Sequence, residues 1–108
     1  MKERHGSLVL DAADCAIRWM SDGREQTPPM VKFFSEDSRR AGYWNPRTPN
    51  VIWSKRGMSA EQVVKTVFHE VSHFRRPWDR NEGMAELEEK LFSRRHFESS
   101  QWDARRSA

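Results

Sequence analysis

The amino-acid sequence predicts a small α+β domain in which an N-terminal helix, a three-stranded sheet, a second helix and a return helix follow one another. Two observations carry this reading. Apolar residues recur at three- and four-residue steps over residues 8–21, over the stretch that Ser59 opens and Pro77 closes, and over residues 80–96, which is the period of a helix with one buried face. Between the first two stretches lie three short runs rich in β-branched and aromatic residues, at 30–34, 41–44 and 50–54, each bounded by Gly, Pro, Asn or Ser.

A chain of 108 residues holds one domain, here residues 1–108, with one modest core. Hydrophobic residues make up 36% and charged residues 32%, so the surface is highly charged and five Trp and six Phe carry much of what can be buried. In the first helix Leu8, Ala12, Cys15, Ala16, Trp19 and Met20 share a face, Ser7 is placed to cap it, and Asp22-Gly23 ends it. Met30–Phe34 reads as a strand, Ala41–Trp44 as a second stopped by Asn45-Pro46, and Asn50–Ser54 as a third. Residues 99–108 lose periodicity and are expected to fray, with Trp102 available to dock back. The single Cys15 forms no internal disulfide, and no apolar run is long enough for a membrane span or a signal peptide. Together these point to a cytoplasmic protein.

The second helix carries the chemistry. Ser59 and Gln62 form a capping-box pattern at its start, and Pro77 forces the chain out of helix at Arg76. Within it stand His69, Glu70 and His73 in the spacing H-E-x-x-H. Residues four apart lie on one helix face, so the two imidazoles can reach one shared ion. Glu70, a quarter turn round, can reach a water on that ion without ligating it. Two neutral nitrogens and a carboxylate base are what zinc-assisted amide hydrolysis requires. A catalytic zinc site wants a third protein ligand. After a turn at Trp78-Asp79-Arg80 the return helix offers Glu82 in its first turn and Glu86 one turn on. Glu82 is the expected ligand, with Glu86 accepting the outer N–H of a ligand histidine. On residues alone the two can exchange roles, Glu82 capping the helix with Asp79 and Glu86 ligating. Met84, Leu87 and Leu91, together with Ala85 and Phe92, form the apolar stripe expected to face the core, leaving Glu82, Glu86 and Glu89 on another face.

The run Thr66-Val67-Phe68-His69-Glu70-x-x-His73, followed by Asn81-Glu82-Gly83-Met84-Ala85, resembles the gluzincin clan of zinc peptidases. The Gly-Tyr-aromatic and Asn-Val-Ile runs ahead of it are most similar to minimal ImmA/IrrE-type peptidases. The resemblance spans residues 41–92. It implies a zincin-like fold, a Zn2+ cofactor on His69, His73 and Glu82, Glu70 as general base and Glu86 as the acid behind the ligands. It also implies a peptide or protein substrate, often a regulatory partner. Two departures stand out: the eight residues between His73 and Glu82 are fewer than the clan's usual spacer, and Glu86 stands where Asp or Asn is commoner.

In such folds the strand bordering the cleft takes an extended peptide by strand addition. Asn50–Ser54 precedes the motif helix directly and is expected to be that edge, with Val51, Ile52 and Trp53 along the substrate and Lys55 and Arg56 at one end, an interior strand paired on both sides being the other reading. Tyr43 is a candidate donor to an oxyanion. Arg75 and Arg76 have two readings, capping the last carbonyls of the motif helix or binding a substrate carboxylate. His96, after Arg94-Arg95, suits a cation at a helix C-terminus. The net charge of +3, with four Arg and Trp102 in residues 94–108, leaves an alternative: a small nucleic-acid-binding or protein-binding module with an inert motif helix.

Overall fold

The computed structural model describes residues 6–20, 29–35, 37, 39–76 and 82–99, with residues 6–10 described by their backbone alone. The expected turn at 78–80, Asn81, the cap at Asp22-Gly23 and the tail with Trp102 lie outside the described residues. The architecture is α+β, in the order α1 (Gly6–Met20), β1 (Met30–Phe34), β2 (Gly42–Trp44), β3 (Val51–Lys55), α2 (Ala60–Arg75) and α3 (Glu82–Phe97). Among the described residues no helix is long and apolar enough to cross a membrane.

Helix α2 is the hub, packing on α1, α3, β2 and β3. Its start is the expected capping box: Gln62 N–H donates to Ser59 Oγ at 3.3 Å, and Gln62 Oε1 accepts from Ser59 N–H at 3.2 Å. Val63, Val64, Val67, Phe68 and Val71 are buried on its apolar face. Helix α1 meets them with Ala12, Ala13, Cys15, Ala16 and Ile17, whose short side chains let the two helices approach closely. The Trp19 ring stacks on Phe68 with centroids 6.0 Å apart.

The sheet order is β1-β3-β2, with β1 parallel and β2 antiparallel to β3. This corrects one expectation. The strand at Val51–Lys55 is central, with neighbours on both sides, so it has no free backbone edge to give a peptide. Its buried Ile52 and Ser54 face the helices, while Val51, Trp53 and Lys55 alternate to the outer face. The edge beside α2 is β2. A tight connection brings β2 back into β3: Asn45 Oδ1 accepts from Arg47 N–H, Thr48 N–H reaches Asn45 O, and Trp44 Nε1–H donates to Pro49 O. Gly57, with φ of 84°, makes the left-handed turn that redirects the chain from β3 into α2.

Helix α3 turns inward only the Ala85 and Phe92 part of its expected apolar stripe. Met84, Leu87 and Leu91 are 39%, 60% and 62% exposed, while Ala85, Glu88, Ser93 and His96 are buried. His96 is therefore not a surface cation. It is fully buried between Trp19 and Phe68, and burial pushes its pKa below the ordinary value, partly opposed by Asp11.

Candidate metal centre

Helix α2 turns His69 and His73 to the side away from its valines, and α3 returns alongside with Glu82 at its first residue. Glu82 lies between the two rings: Oε2 is 3.0 Å from His69 Nε2 and Oε1 is 2.9 Å from His73 Nε2. One donor atom from each of the three residues lies within 4.8 Å of the others. Of the two carboxylates left open by the sequence, Glu82 joins the histidines. Glu86 is exposed and contacts neither of them.

Behind His69 stands a residue whose role sequence reasoning missed, although it shares the expected face with Glu82. Glu89 Oε1 is 3.1 Å from His69 Nδ1, in the place expected of Glu86. The cause is helix geometry. Seven residues turn the helix by 700°, only 20° short of two turns, so Glu89 is closer in direction to Glu82 than is Glu86, 40° away. In an antiparallel pair, moving along α3 from Glu82 also moves back along α2 from His73 to His69. The signal was therefore present as the Glu82/Glu89 spacing.

His69 thus has an acidic acceptor at each ring nitrogen. A neutral imidazole has one N–H and can satisfy only one of them. Either the ring carries a second proton or Nε2 meets a cation while Nδ1–H is held by Glu89. The second arrangement is the carboxylate–histidine–metal chain usual at zinc sites, and the donor set of two imidazoles and one carboxylate fits a catalytic zinc with a position left for water.

Glu70 is 7% exposed and lines the same cleft. Burial, with Glu82 and Glu89 nearby, outweighs His69 and Arg40 and raises its pKa from 4.5 to about 7. The cleft has a volume of about 710 Å³, and its opposite wall is Gly42, Tyr43 and Trp44 of β2. Gly42 makes this approach possible: a β-carbon there would meet the Thr66 methyl and come within 2.6 Å of Trp53 O. Of Tyr43, Val51, Ile52 and Trp53, only Tyr43 borders the cleft. Val51, Ile52 and Trp53 belong to the central strand and do not line it. The Tyr43 ring stacks on Trp53, centroids 5.8 Å apart.

A second unforeseen group locks the two helices. Glu88, buried on α3, accepts from Ser72 Oγ at 2.6 Å and from both terminal nitrogens of Arg76, at 2.6 and 3.1 Å. Arg75 Nη1 is 3.9 Å away. Both arginines thus reach toward Glu88 of α3, and Arg76 also borders the cleft. No protein-family model matches the chain, and no curated protein or solved structure is significantly similar to it.

Proposed function

We propose that this protein is a zinc-dependent peptidase that hydrolyses a peptide bond in the cleft between α2 and β2. The observation that carries the reading is the environment of His69, with Glu89 on one nitrogen and the His73–Glu82 cluster on the other. His69, His73 and Glu82 would hold the ion, which when bound supplies Lewis acidity and makes water nucleophilic near neutral pH. Glu70 takes the proton from the attacking water and passes it to the leaving amine. Glu89 fixes the His69 ring in one tautomer. An extended peptide has the outer edge of β2, unpaired among the described residues, to pair with and Tyr43 beside it. The buried free thiol of Cys15 suits a reducing compartment such as the cytoplasm.

The test is zinc content and peptide hydrolysis of untagged protein, beside the Glu70→Gln variant. The expected result is about one zinc per chain at the histidines in both proteins, with hydrolysis lost in the variant alone. A chain that takes up no zinc at His69 and His73 after reconstitution rules the reading out. Because a cleft of this kind can serve a single partner protein, the substrate panel includes proteins of the host as well as generic peptides.

One observation favours a second reading. Phe34, Tyr43 and Trp53 group on the outer sheet face, Lys32 lies 6.0 Å over the Trp53 ring, and the three strands contain no carboxylate. Aromatic faces interleaved with cations suit single-stranded nucleic acid. Salt-dependent binding of an oligonucleotide by protein that takes up no zinc at the histidines selects this reading over the first.

A further inference from the structure

We propose that Asp11, Cys15 and His96 form a second metal site, buried, taking a divalent ion of the zinc class and pinning α1 to α3. Asp11 and Cys15 stand four apart on one face of α1, and His96 comes from the last turns of α3. One donor atom from each lies within 4.8 Å of the other two.

The separation between Asp11 Oδ2 and His96 Nε2 is informative. It is 3.8 Å, too long for a hydrogen bond. An oxygen and a nitrogen on one tetrahedral ion, at bond lengths of about 2.0–2.2 Å, stand roughly 3.3–3.6 Å apart, so a closure of a few tenths of an ångström would seat this pair. At the histidine pair of α2, by contrast, the corresponding distances are 2.9 and 3.0 Å. Asp11 Oδ2 is sealed from solvent and has no hydrogen-bond partner among the described residues. A carboxylate oxygen so placed is costly to bury without a cation or donor against it.

Thiolate, imidazole and carboxylate together suit zinc or cobalt(II) and disfavour magnesium and calcium, which prefer oxygen alone. The rings of Trp19, Phe68 and Phe97 surround His96 with centroids 6.1, 5.7 and 6.2 Å away, and none of the site's three residues lines the cleft. Its role is structural. Binding replaces the Cys15 thiol proton by the ion and releases that proton to solvent. Helices α1 and α3 otherwise meet through Trp19, which packs against Phe92, Arg95 and His96, and the ion adds a second tie one to two turns back along α1.

The proposal stands apart from the peptidase reading, and its test removes the other centre. Full-length protein carrying His69→Ala and His73→Ala is titrated with cobalt(II) alone. The expected result is one equivalent bound with thiolate-to-cobalt charge-transfer absorption in the near ultraviolet, which imidazole and carboxylate ligands cannot produce. Adding Cys15→Ala abolishes the band and weakens cobalt binding at least tenfold. If that variant does not fold, the band in the Cys15-containing protein still decides. Cobalt bound without the band, or no cobalt bound, overturns the site.

Discussion

Ser72 on the motif helix gives its hydroxyl hydrogen to Glu88 on the return helix across 2.6 Å, and Arg76 grips the same carboxylate with two nitrogens. This clamp begins at the residue next to His73 and helps set the spacing across which Glu82 must reach. Glu88→Ala leaves a hydroxyl and a guanidinium facing an empty site, and the expected cost is about 2–4 kcal/mol. Urea unfolding in chelator measures it. Zinc affinity should fall as well, since α3 loses its register on α2. A loss below about 0.5 kcal/mol would mean that the clamp contributes nothing net.

The three carboxylates of α3 should separate cleanly in zinc titrations. Glu82→Gln is expected to abolish tight binding at the α2 site. Glu89→Gln leaves the ligands in place but removes the acceptor behind His69, and a 10–100-fold weakening follows. Glu86→Gln should leave affinity unchanged. A strong effect at Glu86 with none at Glu89 would contradict the assignment.

Glu70 gives a pH signature in metal-free protein. Its pKa is about 7 when folded against an ordinary 4.5, so the folded state holds the proton more tightly than the unfolded chain. Its contribution to stability is fully present below pH 4.5 and is lost as pH rises through about 7. Glu70→Gln removes the charged form, so the variant should gain on the parent by up to roughly 3 kcal/mol at pH 8 and hardly at all at pH 4.5. Chemical unfolding at several pH values in chelator checks this. Parallel stability profiles would mean the carboxyl is not desolvated as described.

Gly42→Ala should push β2 off α2. The added carbon meets a methyl that could rotate, Thr66 Cγ2, and a carbonyl of the central strand that cannot, Trp53 O. About 1–3 kcal/mol of overpacking is expected. Because the strand is the far wall of the cleft, peptide turnover should drop with zinc retained. Thr66→Ser in the same chain should recover part of the loss, and a double-mutant cycle reads the coupling.

The elements were largely legible in the sequence because each is governed by local chemistry. The capping box at Ser59 and the proline at 77 bound α2, and the aromatic and β-branched runs mark the strands within a residue or so. The pairing of the strands was not. The alternation Val51-Ile52-Trp53-Ser54 fits a half-buried strand at an edge or a centre, and parallel pairing with β1 is decided by packing on α1 and α2. The rotation of α3 was hidden for a related reason. Its apolar stripe, Met84–Leu87–Leu91, competes with a polar stripe that includes Glu88 and His96. Only the partners Ser72, Arg76 and Asp11 show which one turns inward. That rotation is also why Glu89, and not Glu86, meets His69.

Helix α3 buries one apolar and three polar residues, whereas α2 buries Val63, Val64, Val67, Phe68 and Val71. Phe92 and Phe97 pack only partly against the core, and an element held so largely by charge and hydrogen bonds is the first cooperative unit to open. Its amides should exchange with deuterium through a low-energy opening that leaves α1, α2 and the sheet protected, and added salt should lower that opening free energy further. Since Glu82 travels with α3, each such opening dismantles the α2 histidine cluster, and any ion bound there doubles as a latch. Its affinity would then report the closing equilibrium of a helix as much as the strength of three ligand bonds.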